Sequence, residues 1–308
     1  MKVLVSGASG FVGGRVVREL LMRGYQVVAP MRHPIPMGTA EVPMIGDLGP
    51  DTDWSAALDG CRIVVHCAAR AHVLNDDPLD PLPLFQRVNR DGTLRLAQQA
   101  RAAGVEQFLF LSTIKVNGEI TLPDQPFHPQ DPPMPQDAYA IAKAEAESGL
   151  RAMADDTMTL TILRPPLVHG PGVKGNLAVL MKAVRRSWPL PLGSLHNLRS
   201  MVGVDNLADA IAFLLERRIA GTFLIRDDNI STPGLIRLLA AAMECKAWLL
   251  PLPPAFLAWS LRLLGRRGLA DRILGSLVVD DSALRALGWV PPHSLQAGLI
   301  RMVREDDR

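Results

Sequence analysis

No run of apolar residues in this 308-residue sequence reaches the roughly 18 that a membrane span requires. The nearest approach, Pro251 to Leu264, is broken by Ser260 and Arg262. Cysteine is scarce as well. Cys61, Cys67 and Cys245 are odd in number and lack metal-ligand spacing, so no metal site is expected, and a reducing, cytoplasmic setting is. Neither sign of charge dominates: Lys and Arg number 33 against 31 Asp and Glu. The basic residues are scattered among acids, and no block would neutralise a phosphate backbone, which argues against nucleic acid as a partner. The opening MKVLVSGASG runs straight into an apparent strand and glycine loop, without the length or cleavage site of a secretory signal. Repeats and low-complexity tracts are also lacking.

What is present is an apolar fraction of 48%, ample for a continuous core. Lys2 to Ser6 reads as a buried strand, followed by a glycine loop and a helix whose Val12, Val16, Val17, Leu20 and Leu21 share a face. Gly24 then stands where a left-handed helix cap belongs. Further strands are predicted at Tyr25 to Ala29, Val42 to Ile45, Arg62 to Cys67, Gln107 to Leu111 and Thr159 to Leu163. Helices fall at Trp54 to Leu58, Thr93 to Ala103 and Ala138 to Met153. This alternation implies an α/β fold with a doubly wound parallel (Rossmann) sheet. After Arg164 the pattern changes, with Pro and Gly punctuating RPPLVHGPGVKG, SWPLPLG and LPLPP. The expected division is a dinucleotide-binding domain over 1–165, joined by a returning segment near 198–218, and a smaller substrate-binding lobe over 166–308.

The chemistry begins with Gly7, Gly10 and Gly13 between the first strand and helix. The first permits a tight turn, the second lets backbone approach a pyrophosphate, and the third allows close helix–strand packing. With Ser9, Phe11 and Val12 they form a candidate cradle at a helix N-terminus, where free N–H groups and the dipole favour phosphate. An ordinary strand–turn–helix is the alternative. At the end of the second strand, where an acid would hold a ribose 2′-hydroxyl, stand Met31 and Arg32. A guanidinium there suits a 2′-phosphate, so NADP(H) is favoured and NAD(H) remains possible. Asp47 and Leu48 are candidates for the adenine, while small Ala68 and Ala69 leave room for the dinucleotide. Tyr139 and Lys143, four apart on a helix, share a face. An ammonium beside a phenol is expected to lower the phenol pKa from about 10 and make it a usable acid/base. Thr113, ending a strand, is placed to hydrogen-bond the reacting oxygen.

The ordered set GASGFVG, GDL, VVHCAA, VNRDGT, FLSTIKVNGE, YAIAK and LRPPLVHGPG resembles the extended short-chain dehydrogenase/reductase family over almost the whole chain. That resemblance implies a nicotinamide-dependent enzyme acting on a nucleotide-linked sugar, with Thr113, Tyr139 and Lys143 as catalytic triad. It places Asn89 and Pro166 on the cofactor side; a structural role for Asn89 at a helix start is equally compatible. Lys115, Asn117, Lys174, Asn176 and Arg199 become candidate contacts to a UDP-sugar, although Ser200, Met201 and Gly203 depart from the family's block around that arginine. Leu167 stands where 4-epimerases often carry an Asn. Within the family, KVNGE and RPPLVHGPGVKGNL most resemble bacterial reductases that make UDP-N-acetylquinovosamine or its C4 epimer for surface polysaccharide. Two activities stay open: reduction of a UDP-4-keto-6-deoxy-N-acetylhexosamine, and C4 epimerisation of a UDP-N-acetylhexosamine. Dehydration is not expected, because Ile114 and Lys115 replace the usual acidic pair. A non-catalytic NADP sensor would not need the intact triad. The small-residue stripes Leu96, Ala100, Ala103 and Ala142, Ala146, Gly149 suggest a homodimer through their two helices. The 254–264 segment reads as a packed lobe or lid, or as a helix on a membrane surface.

Overall fold

The computed structural model describes residues 1–71, 80–263 and 273–306. The main sheet is built from β1 (Lys2–Ser6), β2 (Gln26–Val28), β3 (Ile63–His66), β4 (Gln107–Leu111), β5 (Thr159–Arg164) and β8 (Gly221–Leu224). These six strands are parallel and lie in the order β2-β1-β3-β4-β5-β8. Their side chains are buried on both faces, which is why β1, β3 and β4 read as continuous apolar runs rather than alternating ones. Helices α1 (Phe11–Met22) and α7 (Val204–Glu216) cover one face, around Val16, Leu20, Leu207 and Ile211. The other face is covered by α2 (Ser55–Leu58), α4 (Gly92–Ala102) and α5 (Ala138–Met153), with Trp54, Leu96, Ala146 and Leu150 in its core. The doubly wound sheet expected from the sequence is therefore the observed one. Gly24, at φ +79°, ends α1 by sending its own N–H to Leu21 O and that of Tyr25 to Leu20 O.

Two local expectations need correction. Residues 42–45 do not form a regular strand. They meet β2 and its extension through isolated bridges, Val28 to Glu41 and Met31 to Met44, because Pro43 has no N–H for a continuous ladder. The segment near 198–218 does return to the main sheet, but through its helix rather than a strand. Its first part is β7 (Arg199–Gly203), which pairs with β6 (Leu167–His169) and β9 (Asp228–Ile230) in a separate three-stranded sheet. Only its helix, α7, packs on the main sheet, and the strand that joins that sheet is β8.

The smaller lobe gathers α6 (Asn176–Arg185), α8 (Thr232–Ala242) and the C-terminal α11 (Leu295–Asp306) over β7, with Leu177, Met201, Ile236, Leu239, Leu299 and Met302 at its centre. Between α2 and α4 lie α3 (Leu82–Phe85) and a π-helical turn, Gln86–Asp91; α9 (Pro254–Leu263) and α10 (Ser282–Ala286) precede α11. Of the two small-residue stripes, Leu96, Ala100, Ala142 and Ala146 are consumed by the chain's own core. A Cβ on Gly149 would lie 2.6 Å from Leu94, so that glycine serves the approach of α5 to α4 within the chain. Among the described residues no helix is long and apolar enough to cross a membrane.

Candidate active site

The C-terminal ends of β1, β3 and β4 bring the sequence motifs to one edge of the sheet. Gly7 has φ +70°, and a Cβ there would sit 2.6 Å from Ala68 N, so the glycine loop rests directly on the start of the loop after β3. A Cβ on Gly13 would fall 2.1 Å from Gly7 O, which holds α1 close beneath its own turn. No side chain caps α1 and no acid occupies its first turn, while Ser9 and Gly10 are exposed. The N–H groups of Phe11, Val12 and Gly13 are thus at an uncapped helix end, a donor set suited to a pyrophosphate. These features fit a nicotinamide dinucleotide, which when bound supplies or accepts a hydride.

A buried relay fixes the neighbouring loop. Ser6 Oγ lies 2.6 Å from His66 Nδ1 and accepts from Ala68 N at 3.3 Å. His66 Nε2 lies 2.9 Å from Thr93 Oγ1, which donates to Asn89 O at 2.7 Å. Asn89 then clamps residue 70 from both sides, its Oδ1 accepting from Arg70 N and its Nδ2 donating to Arg70 O. Burial, helped by the Lys143 charge, holds the His66 pKa well below its ordinary value. A neutral ring protonated on Nε2 satisfies both bonds. Asn89 therefore acts by positioning the segment that follows Ala68 and Ala69. His66 and Thr93 lie within VVHCAA and VNRDGT, but nothing local marks them as partners of each other or of Ser6.

Thr113 follows β4 and starts a short 3₁₀ turn, Ile114–Val116, by accepting from Lys115 N. Two contacts fasten this turn. Ile114 N donates to Pro165 O, beside buried Pro166, and Lys115 Nζ donates to Asp137 Oδ2 at 2.6 Å. Asp137 also caps α5 through Ala140 N, so Thr113 is stapled to the first turn of the helix that carries Tyr139. One turn on, buried Lys143 donates to Leu111 O at 2.9 Å, with its ammonium 4.3 Å from the centre of the Phe110 ring. Burial lowers the Lys143 pKa to about 8, against the opposing pull of Cys67 and Glu147. Burial, reinforced by the Asp137 charge, pushes the Tyr139 phenol upward. The expectation that Lys143 lowers the phenol pKa is thus corrected: Lys143 faces a carbonyl and an aromatic ring, and the low-polarity surroundings of Tyr139 favour the neutral phenol.

The candidate substrate residues divide. Asn117 is a correction. Its amide is buried and used internally, donating to His128 O and accepting from Arg164 Nη1 at 2.9 Å. Lys115 is held by Asp137 and Glu119. Lys174 and Asn176 stand exposed on either side of Gly175, at the N-terminal end of α6. Arg199 opens β7, half-buried. Arg32 and Asp47 are exposed and bond each other at 3.1 Å, while Met31, in the acid's usual place, is buried in the core. Leu48 packs over Gly92. Sequence reading missed a buried ion pair behind the site, in which Arg164 Nε donates to Glu147 Oε1 at 2.8 Å and Ser112 Oγ donates to the same oxygen. Burial pushes the Glu147 carboxyl up, but Arg164, Ser112 and Arg151 outweigh it and hold the acid below its ordinary value.

A glycine loop under an uncapped helix, with a Tyr and a Lys one turn apart at the end of a doubly wound sheet, defines a dinucleotide-dependent oxidoreductase. The family model for the NAD dependent epimerase/dehydratase family matches residues 3–225, and the chain belongs to that family. It is 41% identical to a UDP-glucose 4-epimerase from Vibrio cholerae over 96% of this chain and 92% of the relative. It is 27% identical to an N-acetyl-alpha-D-glucosaminyl-diphospho-ditrans,octacis-undecaprenol 4-epimerase from Escherichia coli O157:H7, covering 98% of this chain and 94% of that one. Among solved structures, the UDP-glucose 4-epimerase of Thermus thermophilus in complex with NAD superposes with a TM-score of 0.78, at 26% identity, over 100% of this chain and 99% of the other. The protein is accordingly an enzyme of the extended short-chain dehydrogenase/reductase group.

Proposed function

We propose that this enzyme reduces the C4 ketone of a UDP-4-keto-6-deoxy-N-acetylhexosamine for surface polysaccharide, in the cytoplasm and with NADPH as the preferred reductant. The observation that carries the reading is geometric: Asp137 caps α5 and holds Lys115, which staples the Thr113 turn to the first turn of the helix bearing Tyr139. Burial and the Asp137 charge keep the proton on the Tyr139 phenol, the form that donates to a ketone oxygen as carbon receives hydride. Thr113 orients that oxygen through its hydroxyl, and Lys143 lies beside the cofactor ribose. Arg32 reads the 2′-phosphate by turning from Asp47, its present partner. Relatives that act on UDP-sugars support a UDP-linked substrate, with Lys174, Asn176 and Arg199 as its contacts. Three free thiols suit a reducing compartment. The homodimer belongs to the same reading, with its contact on the outer faces of α4 and α5, since Leu96, Ala100, Ala142 and Ala146 of the stripes are spent internally and Ala103 alone stays exposed.

C4 epimerisation is the second reading, supported by the 41% identity to a UDP-glucose 4-epimerase. Leu167, 41% exposed where many 4-epimerases carry an amide, weighs against it. The deciding experiment incubates the enzyme separately with UDP-4-keto-6-deoxy-GlcNAc plus NADPH and with UDP-GlcNAc alone, and identifies products by NMR. Reduction of the ketone with stoichiometric NADPH oxidation supports the first reading. Interconversion of UDP-GlcNAc and its C4 epimer without added cofactor rejects it for the second.

A further inference from the structure

The chain has five tryptophans, of which Trp54 and Trp289 are buried. The other three, Trp188, Trp248 and Trp259, are 52%, 50% and 59% exposed, and Phe256 is 54% exposed. The end of α6, residues 188–190 and residues 245–250 are contiguous. Cys245 Sγ reaches Val184 O at the end of α6, and Leu190 N and Leu250 N exchange hydrogen bonds with Trp248 O and Leu190 O, so residues 188–190 and 248–250 lie side by side. Pro251 to Pro253 then lead directly into α9.

The amphipathic pattern here is reversed. Along 246–250 exposure alternates, with Ala247 and Leu249 packed toward the lobe core and Lys246, Trp248 and Leu250 facing out. On α9 the large apolar residues Phe256, Trp259 and Leu263 recur at helical spacing and are 54%, 59% and 72% exposed, whereas Leu257, Ala258 and Ser260 are half-buried. The helix thus turns its greasy stripe to the outside. A lid or packed helix would do the opposite.

The exposed charge around this surface is mostly basic. Among the described residues Lys182, Arg186 and Lys246 stand exposed here, and Glu244 is the exposed acid beside Cys245. Arg186 and Lys246 stack over the rings of Trp188 and Trp248 at 5.6 and 5.4 Å. A second copy of the chain is a poor occupant, because a two-fold contact would set cations against cations. Exposed Trp and Phe interleaved with Lys and Arg suit the interface of an anionic bilayer, where the rings seat at headgroup depth and the cations meet lipid phosphates.

We infer that this face, formed by the end of α6, residues 188–190 and 246–250, and α9, docks the enzyme peripherally on an anionic phospholipid membrane. The exposed Lys174 and Asn176 lie at the other end of α6, about 15 Å away at 1.5 Å per residue, so docking leaves the substrate-side loop accessible.

The test is sedimentation of the full chain with vesicles of phosphatidylcholine alone and of equal phosphatidylcholine and phosphatidylglycerol, at low and high salt. Binding to the anionic vesicles, weakened by salt and accompanied by a blue shift of tryptophan fluorescence, is expected. The triple variant Trp248→Ala/Phe256→Ala/Trp259→Ala should lose at least tenfold in partitioning while keeping wild-type turnover on soluble substrate. Lys182→Glu/Lys246→Glu should lose similarly, and it serves as the readout if the triple variant unfolds. Failure of the wild type to bind anionic vesicles, equal binding by both variants, or self-association that the triple variant abolishes would each overturn the inference. Turnover is measured separately, so a wrong substrate assignment leaves this result intact.

Discussion

Replacing Lys143 by Met should stabilise the protein at neutral pH while removing its activity, and the two effects should separate with pH. The ammonium is buried, and its pKa is lowered from 10.5 to about 8, chiefly by desolvation. At about 1.36 kcal/mol per unit, keeping that charge inside costs roughly 3 kcal/mol below pH 8. Methionine fills a similar volume without the charge. It forfeits the bond to Leu111 O, worth about 1 kcal/mol, so the variant should gain about 2 kcal/mol at pH 7. The sign follows from linkage. Between pH 8 and 10.5 the unfolded chain binds the lysine proton and the folded chain does not, so wild-type stability rises with pH through that window. The rise amounts to about 2 kcal/mol by pH 9.5, and the Met variant lacks it. Urea unfolding of both proteins at pH 7.0 and 9.5 measures the difference directly. A variant less stable than wild type at pH 7, or a stability difference independent of pH, would refute the reasoning that Lys143 is held charged against its surroundings.

Tyr139→Phe should lower turnover by at least about 10²-fold with cofactor affinity little changed, as for loss of a positioned proton donor; steady-state kinetics with cofactor titration measures both. Arg32→Ala should weaken NADPH binding by about 1.5 kcal/mol and leave NADH nearly unaffected, since only the 2′-phosphate needs the guanidinium; equal losses in fluorescence titrations of the two would remove Arg32 from cofactor selection. Glu147→Ala leaves Arg164 charged and buried, so chemical denaturation should show a loss of about 3–5 kcal/mol. Sedimentation velocity at micromolar concentration should give a dimer, and a stable species at the 33.5 kDa chain mass would reject the helix-pair contact.

The sequence made the sheet legible because its strands are buried on both sides, and continuous runs such as VVH and FLFL are what that burial demands. It exposed the glycine loop for a related reason: Gly7 and Gly13 sit where a Cβ would strike backbone. Reading failed where an outcome depends on a distant partner. Val42 to Ile45 has strand composition, but Pro43 interrupts its ladder. Asn117 lies in a motif near Thr113, yet its amide is claimed by His128 and Arg164 from elsewhere in the chain. Glu147 and Arg164 are 17 positions apart on different elements, and nothing local marks them as a pair. Residues 251–264 were visible as an apolar segment, of which Leu264 lies outside the described residues. Sequence could not say which way its rings point.

The polar groups around the triad bear on how the site handles charge. His66 and Cys67 are held neutral, the first by a lowered and the second by a raised pKa, in both cases through burial first. Glu147 is ionised but neutralised by the Arg164 fork. Lys143 is then a positive charge with little direct compensation, resting against a carbonyl and a π face. Such a charge is poorly solvated and gains from any anion or oxygen dipole brought near it. Tyr139, by contrast, is poised to keep its proton until an acceptor arrives. Below about pH 8 the pair therefore stands as ammonium and phenol, the state that gives a proton to a substrate oxygen. Removing a proton from a sugar hydroxyl would require the opposite arrangement, with Tyr139 ionised beside Lys143.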